Sequence, residues 1–136
     1  MLAHRFITMT VREILLERRY ATVGGGALLA GVVAGLVGAV ANSGVAIAVG
    51  LALASPLLFV HAHEIDSDAY VAREWTAVVL DVLVTIAVAG IIGVGGVLAV
   101  EAVLTGASWA LVAVGAGGAA GGGSTAFWWR TNGLQT

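Results

Sequence analysis

The chain has 136 residues, 60% of them hydrophobic and 10% charged, with a formal net charge of −2 and a mean hydropathy of +1.02. A water-soluble domain runs nearer to roughly 45–50% apolar and about 25% charged, so a chain this short could not hide so much apolar surface, and a soluble catalytic domain is excluded. The absence of cysteine removes disulfides, thiolate metal sites and a cysteine nucleophile, and the small net charge argues for no particular partner.

Residues 1–20 are polar enough to stay out of hydrocarbon. Thr10-Val11-Arg12-Glu13 is a capping-box pattern with Met9 and Ile14 placed as a hydrophobic staple. Val11, Ile14 and Leu15 then share one face, which predicts a short amphipathic helix lying along the membrane surface. Ala21 to Ala41 is uncharged, about 31 Å as a helix, and reads as a first span. The triplet Ala39-Val40-Ala41 before Asn42 also fits a signal-peptide cleavage site; the long leading segment and the span-length run favour an uncleaved span, and an intact mass discriminates the two. Asn42-Ser43-Gly44 is a polar turn, and Val45 to Val60 a second, shorter span interrupted by Pro56, where Ser55 is placed to compensate a lost backbone hydrogen bond.

The segment 61–74, HAHEIDSDAYVARE, is the one long polar stretch inside the chain and divides it into two hairpins, 21–60 and 75–130, followed by a tail, 131–136. Trp75 follows as an interface anchor, and Val82 to Val100, between Asp81 and Glu101, is the third span. Ala107 to Ala126 is uncharged but built of small residues. The cluster Phe127-Trp128-Trp129-Arg130 marks it as a fourth span ending at an interface, with Tyr20, Trp75, Trp128, Trp129 and Arg130 as the anchors. All six basic residues are Arg, and with four spans Arg5, Arg12, Arg18, Arg19, Arg73 and Arg130 fall on one side. The positive-inside rule then puts both termini on the cytoplasmic or interior side. The fold expected is all-α: a four-transmembrane-helix bundle of two hairpins with a short N-terminal interfacial helix.

Four features bear on chemistry. Gly31 and Gly35 form a GxxxG pair that Gly38 extends, and Gly117 and Gly121 repeat the interval; such rows let helix backbones approach closely and are expected to pack against a helix of this chain, a second copy or another membrane protein. His61, His63, Glu64, Asp66 and Asp68 have the ligand chemistry of a divalent-metal site, but not its spacing, and read as a solvated acidic loop. Asp81 lies closest to the hydrocarbon and is the candidate for burial as an ionisable group, paired with Arg73 or an N-terminal Arg. The N-terminal arginines are explained by topology before nucleic acid or anionic lipid need be invoked at the inner face. No phosphate loop, nucleophile elbow or catalytic carboxylate pair is present, so neither enzyme activity, cofactor nor small-molecule substrate is expected.

The overall plan resembles the small internal membrane protein of haloarchaeal pleomorphic viruses: a short cysteine-free chain of four spans, an Arg-bearing start and little outside the bilayer. The resemblance is one of arrangement over the whole chain and carries no residue motif. It implies a structural component on the inner side of a viral envelope, in contact with the spike protein or the genome. The leading expectation is therefore a non-enzymatic membrane scaffold or assembly protein. The alternative is a pore, holin-like or transporter component in which Asp81 faces a polar path, and an enzyme built on the His61 to Asp68 cluster comes third.

Overall fold

The computed structural model describes residues 16–63 and 65–135. The capping box at Thr10 and the apolar face Val11, Ile14 and Leu15 of the expected interfacial helix lie outside them, and of the expected 1–20 segment Arg19 and Tyr20 open the first long helix. Four long helices dominate: α1 (Arg19–Gly38), α2 (Ser43–Phe59), α4 (Trp75–Val103) and α5 (Ser108–Thr131), with a five-residue α3 (Ser67–Val71) between α2 and α4 and a 3-10 turn, Asn132–Leu134, after α5. The all-helical class is as the sequence reading has it. Helices α1, α4 and α5 are long and apolar enough to cross a membrane, whereas α2, at 17 residues, is a shorter apolar helix.

The connections explain why helices stop where they do. Asn42 caps α2, accepting from Val45 N–H at 2.9 Å, and the turn between α4 and α5 contains Gly106 at φ +85°, a left-handed conformation that a side chain would strain. Helix α2 runs through Pro56. Proline supplies no N–H to the carbonyl four residues back, and the Ser55 hydroxyl donates to that carbonyl, Ala52 O, at 2.7 Å. Helix α4 begins six residues before Asp81 and outlasts the expected 82–100 span at both ends, because neither Asp81 nor Glu101 interrupts helical hydrogen bonding.

Successive long helices run antiparallel, and α2 is the central one: α1 packs against it on one side, while α4 and α5 pack against it and against each other. Its sequence places a small residue at every second position, Gly44, Ala46, Ala48, Gly50, Ala52 and Ala54, and all six are buried. Positions two apart point to roughly opposite sides of a helix, so these residues form two separate rows at intervals of four. Ala46 and Gly50 meet α1 at Gly38, Ala30 and Ala34; Gly44, Ala48 and Ala52 meet α5 and α4 at Leu111, Gly115, Gly93 and Gly90. Backbones approach so closely at Gly44, Gly50 and Gly115 that an added Cβ would run into a carbonyl oxygen of the facing helix.

These contacts show which glycine rows are used within the chain. Within the chain Gly31, Gly35, Gly117 and Gly121 have open space where a Cβ would be, and Gly38 faces only Ala46 Cβ at 3.7 Å. The packed faces are Gly26, Ala30 and Ala34 on α1 and Gly115, Ala119, Gly122 and Gly123 on α5. Where small residues are this dense, several rows satisfy the same spacing, and the facing helix selects among them.

The core is accordingly made of small side chains, with Phe127 and Val97 the largest that are fully buried, while Leu28, Leu36, Leu80, Leu83, Ile91, Leu98 and Trp109 are exposed. An apolar exterior of this extent is unfavourable in water and ordinary in lipid, where close packing of small residues is what holds helices together.

Candidate functional site: a buried carboxylate between two arginines

Asp81 has no solvent-exposed surface. Helix α4 carries it inward about 9 Å from Trp75, counting 1.5 Å per residue. Arg73 comes from the segment just before α4, and Arg130 from the last turn of α5. Arg130 Nε–H donates to Asp81 Oδ1 at 2.8 Å, and an Arg73 terminal N–H donates to the same oxygen at 3.1 Å. Arg73 Nε lies 3.0 Å from Oδ2. That third approach is a charge contact and not a hydrogen bond, since the N–H is poorly aimed. Arg73 also donates to the carbonyl of Arg130 at 3.3 Å, which ties the start of α4 to the end of α5.

The register of α4 on α5 produces the triad. Gly122 packs on Val88 and Ile92, Gly123 on Ala89, and Gly118 and Ala119 on Gly93. Two turns further toward the charged end of each helix lie Asp81 and Arg130. Beneath them Thr85 donates its hydroxyl to Asp81 O at 2.6 Å, and Thr131 donates to Phe127 O at 2.7 Å; both threonines are fully buried, so their hydroxyls are satisfied locally and leave the carboxylate to the arginines.

Asp81 is thus the buried ionisable group expected from the sequence, and Arg73 is one of the partners expected for it. Arg130 is the partner missed. It reads from sequence as an interface anchor beside Trp128 and Trp129, whereas its guanidinium reaches inward, with only 25% of the side chain exposed. Tyr20, Trp75, Trp128 and Trp129 are all exposed.

The remaining polar residues of the same end do not converge on a metal. Among the described residues no three His, Asp or Glu side chains are grouped to hold one, and Glu64 lies outside them. His63 stacks on Phe127 with ring centroids 6.2 Å apart, and its Nε2 sits 3.2 Å from Ser124 O. Asp66 caps α3, accepting from Asp68 N–H at 3.0 Å and Ala69 N–H at 3.3 Å. Its own N–H donates to Leu134 O at 2.7 Å, and Ile65 bridges Gln135, which fastens the tail to the 61–74 segment. At the opposite end Glu101 is exposed and accepts from Asn42 Nδ2 at 3.2 Å, linking the two short turns.

Chemically, then, the site is an ion triad in which one buried carboxylate is shared by two guanidiniums. It cross-links helix ends and offers no exposed nucleophile or base. Comparison with known proteins adds no relative: no family model, no curated protein and no solved structure matches this chain.

Proposed function

We propose that this chain is a non-enzymatic structural or assembly component of a membrane, a four-helix unit whose long helices all cross the bilayer, with both termini and the 61–74 segment on the interior side. The observation that supports this best is the burial of Asp81, the ionisable residue set into the helices, between Arg73 and Arg130. A carboxylate with no exposed surface, clamped from two sides, serves helix association; a pore or transporter would need it at a wet path. Helix α2, about 26 Å long, crosses with the others because it is packed along its length between them, and local thinning absorbs the shortfall. The interior placement rests on Arg18, Arg19, Arg73 and Arg130 at one end, against uncharged turns at Asn42 and Gly106. A viral envelope as the membrane rests on the resemblance of plan alone. The open glycine rows at Gly31 and Gly35 and at Gly117 and Gly121 suit contact with a second copy or another membrane protein.

The test is reconstitution into liposomes with an ion-flux readout. Wild type and Asp81→Asn are expected to leave the vesicles equally tight. A selective conductance that Asp81→Asn abolishes while helicity is retained would overturn the scaffold reading in favour of a pore.

A further inference from the structure

We infer that the cavity at the turn between α4 and α5, beside Glu101, is a binding site for a primary ammonium group, carried by a phospholipid headgroup or by a free amine. The site stands on its own geometry, and only its filling from a bilayer rests on the membrane reading above.

Glu101 is an isolated charge. Residues 21–60 contain none, and between Asp81 and Arg130 it is the one charged residue in the chain, about 30 Å along α4 from the triad. Asn42 donates from Nδ2 to its Oε2 at 3.2 Å, which leaves Oε1 without a hydrogen bond among the described residues. Both ion pairs among those residues belong to Asp81, at the opposite end. Helix dipoles do not supply the missing positive charge, because α2 and α5 begin at this end while α1 and α4 stop there, and their partial charges offset. The end of α4 is itself rich in free acceptors: the carbonyls of Glu101, Ala102 and Val103 accept no backbone N–H, and no basic residue lies in the last turn.

Glu101 lines a cavity of about 240 Å³ together with Leu104, Thr105, Ser108 and Leu111. The hydroxyls of Thr105 and Ser108 make no hydrogen bond to a described residue. Oxygen acceptors beside apolar walls define the ligand. A primary ammonium has three N–H donors for Oε1 and the two hydroxyls, and the carbon chain that carries it lies against Leu104 and Leu111. A quaternary ammonium has no N–H and forms none of these bonds. A hard divalent ion is poorly served by one carboxylate between leucines, since it takes roughly six to eight oxygens. Trp109, next to Ser108, is 77% exposed, an amphipathic ring of the kind that sits at headgroup depth, where an ethanolamine headgroup presents such an amine.

The test is native mass spectrometry of the full chain in neutral detergent. It is titrated with phosphatidylethanolamine, its N-methyl and N,N-dimethyl forms, and phosphatidylcholine of the same acyl chains. The phosphate is common to all four lipids, so the series isolates the amine. The bound fraction is expected to fall with each methyl, phosphatidylethanolamine binding at about fivefold lower lipid than phosphatidylcholine, the scale of one partly exposed ion pair. Glu101→Gln, which keeps an acceptor for Asn42, should abolish the preference with helicity unchanged. Glu74→Gln, at an exposed acid of the other end, should leave it intact. Millimolar ethanolamine separates the two sources: displacement of the lipid means that the amine alone suffices, retention that the acyl chains hold it, and both keep the ammonium as the recognised group. Equal binding of the four lipids, a preference that survives Glu101→Gln, or one lost alike in both variants would each overturn the assignment. A chain that stays soluble without detergent would instead overturn the membrane reading and leave ethanolamine as the probe of the site; one that needs detergent but shows no headgroup preference fails this inference alone.

Discussion

Arg130 Nε and Asp81 Oδ1 lie 2.8 Å apart although 49 residues separate them in the chain. The bond closes the α4/α5 hairpin at the end away from its turn, and Arg73 holds the same carboxylate from the segment that enters α4. Three charges from three places along the sequence thus brace one end of the molecule.

Removal of the carboxylate should therefore hurt more than its neutralisation. Asp81→Ala takes away the carboxylate that Arg73 and Arg130 share and is expected to destabilise by about 3 kcal/mol, the low end of what breaking a buried ion pair does, because both arginines are partly exposed and can turn toward water. Asp81→Asn keeps an acceptor for one N–H and should cost about half as much. Unfolding in detergent followed by circular dichroism gives the ranking; equal stability of all three proteins would mean that the triad is not holding the helix ends.

Glycine substitutions separate the packed rows from the open ones. Gly50→Ala places a methyl against Ala30 O and is expected to destabilise by about 1–3 kcal/mol. Gly31→Ala and Gly117→Ala enter open space and should be neutral for the isolated chain, or stabilising by up to about 1 kcal/mol through helix propensity. If those two instead weaken self-association without lowering the melting temperature, the open rows are an interface between chains.

Deletion of residues 134–136 removes the carbonyl that accepts from Asp66 N–H and the bridge between Ile65 and Gln135. The 61–74 segment should then be cut by added protease several times faster, with helix content unchanged, since α4 and α5 remain packed. An unchanged cleavage rate would show that the tail does not restrain it.

Accessibility of engineered cysteines tests the arrangement of spans, in a chain free of native cysteine. Ser43→Cys and Thr105→Cys, at the uncharged turns, should react with an impermeant thiol reagent from one side of a sealed vesicle, and Asp68→Cys only after the membrane is opened. Labelling of Asp68→Cys together with Thr105→Cys from the same side would mean that α4 does not cross.

Sequence by itself determined the helical class and the helix breaks at Asn42, 61–74 and Gly106, because long apolar runs and interrupting polar residues are local signals. It also singled out Asp81 and one of its partners, since a carboxylate at the edge of a long apolar run needs a countercharge and Arg73 lies eight residues away. Tertiary structure decided the rest. Arg130 reaches Asp81 only through the register of α4 on α5, and that register is set by contacts such as Gly123 on Ala89 and Gly118 on Gly93, which no single helix encodes. The choice among glycine rows is of the same kind. A GxxxG interval says that a close approach is sterically allowed, but the helix that arrives decides which row is used, and here α2 brought its two faces of small residues to Ala30 and Ala34 on one side and to Gly115 and Gly93 on the other, leaving Gly31, Gly35, Gly117 and Gly121 facing outward.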